Sequence, residues 1–258
     1  MAASILVRDI LSRVSTQLLD ATPQFERWTE RELVYWLNDA QRAIAKYIPQ
    51  ACSRVDAIRL APGTKQAITE ISSSDVIPGD GTSARVIRGI AVQDVVRNMG
   101  TTGSSPGRAI KRIDRETLDA ANPDWHSAKA SSPVREYAFD PRTPTVFYVS
   151  PPAPVGWWVE VSYMANPDEI PNPGNAYAAD GTSMVKISID DKYTDDIVNY
   201  VLARAHLKDA EFAGNASLAS SFTALFTSSI NAQAVALTGV NPNLESLPLS
   251  PSPLAAAK

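Results

Sequence analysis

A single cysteine, two histidines and no apolar run of membrane-spanning length set the first limits on this 258-residue chain. Cys52 cannot form an internal disulfide, so stability rests on packing and the chain suits a reducing compartment at synthesis. His126 and His206, with no CxxC or HxxxH pairing beside them, are too few to supply the three or four ligands of a zinc site. Basic residues are also in deficit. Lys and Arg number 24 against 28 Asp and Glu, and the net charge of −4 gives no general electrostatic footprint for nucleic acid. No GxSxG elbow exposes a nucleophile. The first residues carry neither a basic n-region nor an apolar h-region, so no export signal is expected. These absences point away from an enzyme, a cofactor or a metal centre, and toward surfaces and assembly.

What is present is a bracketed layout. From about Ser4 to Asp20, Leu6, Ile10, Val14 and Leu18 fall on one helical face, with Leu11 and Leu19 beside them, and Thr22-Pro23 breaks the run. Thr29 and Glu32 then form a capping box. It opens a second helix with the stripe Leu33, Trp36, Leu37, Ala40, Ile44, Tyr47 and Ile48. Toward the other end, Asp190 and Asp191, or Thr194 with Asp195 and Asp196, provide N-terminal acceptors for a helix to about Ala213. Its stripe is Ile197, Val198, Val201, Leu202, Ala205 and Phe212. Gly214-Asn215 is expected to end it, and a fourth helix from about Ser217 carries Leu218, Phe222, Leu225, Phe226, Ser229, Ile230 and Gln233 in register.

Neither helical pair can bury its stripe alone. The expected fold is therefore α+β: an antiparallel four-helix bundle from the N- and C-terminal helix pairs, with an inserted antiparallel β domain and an extended C-terminal tail. The boundaries read as 1–54 and 184–237 for the bundle, 55–183 for the β-rich domain and 238–258 for the tail. Within the β region, Val55–Leu60 and Lys65–Ile68 read as a hairpin across the Ala61-Pro62-Gly63-Thr64 turn, and Val86–Val92 as a further strand. Gly100–Gly107 reads as a soft loop, and Asp114 opens a short helix stopped by Asn122-Pro123. Val134–Phe139, Thr145–Val149 and Trp157–Tyr163 alternate as a three-stranded meander, and residues 166–182 form a long loop.

Few constellations suggest chemistry. The carboxylates Asp190, Asp191, Asp195 and Asp196 could bind a divalent cation, but helix capping accounts for their spacing. The run Gly100–Arg108 resembles a phosphate loop yet lacks the Lys-Ser/Thr pair, and Pro106 removes an amide donor. Trp157 and Trp158 are adjacent, so on a strand they face opposite ways. An exposed indole there is a candidate anchor for a tail component or a neighbouring subunit; the alternative is burial of the second ring under a nearby loop. In the tail, Leu244, Leu247, Leu249 and Leu254 are spaced by Pro and Ser, so they cannot share a helix but can dock singly into another surface.

The pattern Trp28-Thr29-Glu30-Arg31-Glu32-Leu33-Val34-Tyr35-Trp36-Leu37-Asn38-Asp39-Ala40-Gln41, the run Phe147-Tyr148-Val149-Ser150-Pro151-Pro152 and the stretch Tyr193 to Phe226 resemble the head-to-tail adaptor (connector) proteins of short-tailed bacteriophages. The resemblance implies a structural virion protein at the phage neck, assembled in the host cytoplasm. It implies a homo-oligomeric ring, usually of twelve subunits, that joins the portal protein to a tail nozzle or other tail component. The DNA channel would continue through the ring without sequence-specific binding, and no membrane is involved. It also implies that the C-terminal segment reaches the portal, which gives the four tail leucines their role. A reading of a different class is a carbohydrate- or receptor-binding tail module that uses the β domain and its tryptophans.

Overall fold

A computed structural model describes residues 5–20, 27–81, 85–172, 177, 183–209 and 213–240. Among them lie five helices, α1 (Val7–Gln17), α2 (Glu30–Tyr47), α3 (Arg115–Ala121), α4 (Thr194–Lys208) and α5 (Ala213–Val240). Eight strands accompany them: β1 (Ser53–Arg59), β2 (Gly63–Ala67), β3 (Val76–Pro78), β4 (Gly89–Asn98), β5 (Lys111–Arg112), β6 (Glu136–Phe139), β7 (Val146–Ala153) and β8 (Trp158–Ala165). The chain divides into two compact units. Among the described residues, one gathers those up to Cys52 and those from Pro167 to Val240; the other runs from Ser53 to Asn166.

The helical unit is organised by α2. The Thr29 side chain accepts the Glu32 N–H while the Glu32 carboxylate reaches back to the Thr29 N–H, so two orphan donors of the first turn are met. Leu33, Val34, Leu37, Ala40 and Ile44 are fully buried on one face. Polar residues on the same helix tie in the returning chain. Asn38 exchanges two hydrogen bonds with Ile170, at 2.9 and 3.1 Å. Gln41 Oε1 accepts from the Ser188 N–H at 2.8 Å and from its hydroxyl at 3.0 Å. Glu30 Oε2 accepts from the Tyr177 N–H at 3.1 Å. Each bond satisfies a buried polar group that would otherwise cost about 1–3 kcal/mol.

The expected antiparallel four-helix bundle with an inserted antiparallel β domain does not describe this chain. The class is α+β, with five helices and two sheets among the described residues. A bundle needs helices of comparable length covering one another. Here α1 has 11 residues and α5 has 28, about 16 and 42 Å. The first turn of α1 is joined instead to an extended segment, through the Leu6–Lys186 bridge and the bond from Val7 N–H to the Val185 carbonyl at 2.9 Å. The core is not made by helices alone: Ile170, Tyr177, Ile187 and Ile189 are buried in it from irregular segments.

Two helix ends also differ from expectation. Leu19 lies past the end of α1 at φ 56° and is 92 % exposed, so it contributes nothing to the buried stripe. The break after α4 falls at Asp209, earlier than Gly214-Asn215, which lie in the first turn of α5. Asn215 Nδ2 reaches back to the Asp209 carbonyl at 3.1 Å and so meets an acceptor left over at the end of α4. The expected break at Thr22-Pro23 and the placement of Phe212 lie outside the described residues.

In the β unit, one sheet has the order β3-β1-β8-β4 and the other β2-β7-β6-β5. Their inner faces share one core: Ile58, Val92, Val95, Val159, Val161 and Tyr163 from the first, Tyr137, Phe147 and Val149 from the second. The expected hairpin and meander are both overturned. β1 pairs with β8 and β3, whereas β2 pairs with β7. β6 and β7 form an antiparallel pair, but β8 crosses to the other sheet after the turn at Gly156, where φ is 76°. β5 runs parallel to β6. The physical reason is that alternation identifies a strand and its faces but not its partner. The corner at Ala61-Pro62 is held by Gln66, whose amide bonds both the N–H and the carbonyl of Ala61, at 2.8 and 2.7 Å. A buried amide closes that turn in place of a strand-to-strand ladder.

Candidate functional site

α5 carries no charged residue in 28 positions. A surface helix normally meets water with Lys, Glu, Arg or Asp on its outer face. The inner stripe of α5 is ordinary: Ala219, Phe226 and Ile230 are at most 6 % exposed, with Phe222, Ala234 and Leu237 packed behind them. Aromatic contacts fix it to α4, Phe226 lying edge-on to Tyr200 at 5.2 Å and Phe222 stacking on His206 at 5.7 Å. Leu218 and Leu225, read in sequence as part of that stripe, lie outside it, 45 % and 55 % exposed; Val235 is 65 % exposed. Together with Ser221, Ser228 and Ala232, all exposed, they form a second stripe of uncharged, mostly small residues. Their spacing of three and four is that of helix-on-helix packing.

In the β unit neither tryptophan of the pair presents a fully exposed ring. Trp158 is 8 % exposed and packs with Ala57 and Met99. The loop from Gly100 to Gly107 covers it: Trp158 N–H donates to the Gly100 carbonyl at 2.9 Å, and Gly103, at φ 76°, sits where a Cβ would meet the Trp158 ring at 2.9 Å. Within the glycine run, Gly103 thus serves close approach to an indole. Trp157 is half-buried, and its Nε1–H donates to Asn98 Oδ1 at 2.8 Å. Only the solvent-facing part of Trp157 is available for contact with another molecule.

Asn98, which sequence reasoning passed over, makes four side-chain hydrogen bonds to three residues while only 2 % exposed. Its Oδ1 accepts from the Val134 N–H at 2.9 Å as well as from Trp157, and its Nδ2 donates to the Arg108 and Val134 carbonyls, both at 2.8 Å. An asparagine at the end of an apolar strand gives no signal of such a role. A second buried polar centre lies at Asp56, 1 % exposed, which accepts from the Gly79 N–H, the Arg85 guanidinium and the Tyr163 hydroxyl. Burial, then the bond to Asp56, pushes the Tyr163 phenol well above its ordinary range, so it stays a neutral donor. Both networks join segments far apart in the chain within the β unit.

The other sequence-selected residues are absorbed by the fold. Asp190 caps a 3₁₀ turn by accepting the Lys192 N–H at 3.0 Å; Asp191 accepts the Ile5 N–H at 3.2 Å; Asp196 accepts from Gln233 Nε2 at 2.8 Å. Asp195 faces Arg13 at 4.0 Å. Among the described residues no three His, Cys, Asp or Glu are placed to hold a metal ion. His126 stacks on Trp125 at 3.7 Å and contacts Thr64 Oγ1 at 2.9 Å. Cys52 is buried. No described helix is long and apolar enough to cross a membrane. Leu244, Leu247, Leu249 and Leu254 lie outside the described residues.

A family model described as SU10 adaptor protein matches residues 6–243. Comparison with curated proteins finds no match.

Proposed function

Because the chain belongs to the SU10 adaptor protein family, and so is a structural phage adaptor, we propose that it assembles as a closed ring between portal and tail, with DNA passing through the centre. The supporting observation is the uncharged outer stripe of α5. Leu218, Leu225 and Val235 keep large apolar side chains in water along a helix that offers solvent no charge. A monomer gains nothing from such a face, whereas burial against a neighbour stabilises at about 25 cal/mol for each Å² covered. A head-to-tail contact closes into a ring when its repeated rotation completes a full turn without translation, and twelve copies is the stoichiometry that the resemblance implies. In this reading Leu244, Leu247, Leu249 and Leu254 belong to a segment that reaches the portal, and the visible part of Trp157, steadied by Asn98 with Trp158 beneath its loop, belongs to a face turned toward a neighbour or tail component.

The test is assembly of a charge-bearing variant. Leu225→Lys combined with Val235→Lys is expected to yield particles of subunit mass in native mass spectrometry while circular dichroism stays that of the parent chain; the parent is expected to form rings in electron micrographs. Rings from the double variant as abundant as those of the parent would remove α5 from the interface. Deletion of residues 238–258 is expected to leave the helical unit folded and to abolish co-sedimentation with portal. Retained co-sedimentation would rule out the tail as the portal contact. The carbohydrate-binding alternative has no observation in its favour, since neither Trp157 nor Trp158 offers a fully exposed ring for a sugar to stack on.

A further inference from the structure

A cavity of about 410 Å³ opens in the β unit between the end of β1, the turn into β2, residues 70–75 and the turn at Val155-Gly156. That volume is in the range of ligand pockets. Its floor is apolar: Ile58, Leu60, Ile71 and Phe147 are each at most 8 % exposed. Three of its polar side chains are committed to the walls. Gln66, 3 % exposed, bonds Ala61 and, at 3.1 Å, the Gly63 carbonyl, which holds Ala61-Pro62 as a rigid lip. Arg59 pairs with Asp75, another lining residue. At the rim, Val155 is 82 % exposed. Ser72 and the exposed Glu70 also line the hollow; its apolar floor, with a valine standing in water at the mouth, is suited to an apolar side chain of an extended peptide.

The chain contains a segment of that chemistry. Beyond Val240 follow 18 residues, 241–258, with four leucines and four prolines and only Glu245 and Lys258 charged. Proline favours an extended backbone before docking and so lowers the entropy lost on binding. At about 3.1 Å per residue, the seven steps from Val240 to Leu247 reach about 22 Å.

We propose that Leu247-Pro248-Leu249 of one copy docks in this groove on a second copy, so that neighbouring subunits are strapped together; the portal contact then narrows from all four tail leucines to Leu254 and the last residues. Placing the segment on a second copy rests on the ring reading; the apolar character of the groove does not.

The full-length chain carrying a benzoylphenylalanine photo-cross-linker at position 247 tests this. Heavy-isotope and unlabelled protein are mixed before assembly and irradiated. The expected products join position 247 to peptides containing residues 58–72, 147 or 155, in mixed heavy–light pairs. A second variant, Val155→Asp, places a charge at the exposed rim without touching the core. It should lower the yield of that product about tenfold, the penalty of setting a charge against an apolar docked segment, with ring mass by light scattering unchanged. Products confined to the helical unit, pairs of one isotope only, or a yield indifferent to Val155→Asp would overturn the proposal. Rings without the cross-link sink the strap alone; the cross-link without rings sinks the ring reading alone.

Discussion

α2 and α5 belong to the same helical unit and share its core, yet they end at water in opposite ways. α2 begins with a reciprocal cap and covers its outer face with Arg31, Arg42 and Lys46, all exposed. Arg42 pairs with Asp39 at 2.9 Å, and Arg31 hydrogen-bonds the Tyr35 hydroxyl at 3.2 Å while lying over its ring. α5 also has a buried inner stripe, but its outer side offers serine, threonine, alanine and three large apolar side chains. The difference teaches that burial inside one copy is only half of what a helix face reports. The residues that meet solvent tell whether the helix is finished as a surface or left for a neighbour.

Substitutions in the two helices can break this contrast or sharpen it. The largest effect is expected from Leu37→Ala, a fully buried site on α2. The loss should be about 2–5 kcal/mol in chemical denaturation, from lost transfer energy and an unfilled cavity. A loss below about 1 kcal/mol would mean that α2 is not the organising helix.

Thr29→Ala removes the cap that starts α2. It should cost about 1 kcal/mol and be partly rescued by Thr29→Asp, whose carboxylate accepts the same N–H bond; equal destabilisation by both would point to packing as the cause.

A smaller effect concerns Glu32, whose carboxyl is held below the usual carboxylate range chiefly by the hydrogen bond from Lys208 Nζ at 2.6 Å. A depressed folded-state value means that the contribution is present above the unfolded carboxylate range and disappears as pH falls through the folded value. Because both side chains are partly exposed, 33 % and 48 %, Lys208→Met should cost under about 1 kcal/mol at neutral pH. The difference from the parent should disappear once the pH has fallen below the folded-state value of Glu32, itself below the ordinary carboxylate range, and shrink in molar salt. A gap that persists in acid would assign the effect to the lost lysine stem.

The smallest effect on folding is expected from Leu225→Ser on α5, where denaturation of the monomer should move by no more than about 0.5 kcal/mol. Measured by sedimentation, the same variant should assemble at a clearly higher protein concentration than the parent. An equal loss in both measurements would mean that Leu225 is part of the monomer core.

The helices were legible because each signal is local: the Thr29–Glu32 box, the three-and-four spacing in α2 and the Asp114 start of α3 need nothing beyond a turn or two of chain. The inner and outer stripes of α5 were harder to separate. Leu218, Phe222, Leu225 and Phe226 all fit one broad apolar face, and with no charges to mark the solvent side, only the position of α4 decided which of them turned inward. In the β unit, alternation marked strands around Val134–Phe139 and Trp157–Tyr163, but not that β8 leaves β7 for another sheet. Asn98 was invisible for the same reason, since its partners Arg108, Val134 and Trp157 come from separate stretches of chain.

By itself the sequence determined where α2 and α3 begin, which residues are apolar enough to seek burial and which motifs are missing, because composition, capping and periodicity act over a few neighbouring residues. Tertiary structure alone decided the partners: which strand lies beside which, which face of α5 is spent on α4, and which indole a glycine loop covers. Those choices depend on contacts between residues far apart in the chain, whose energies exist only once both are brought together.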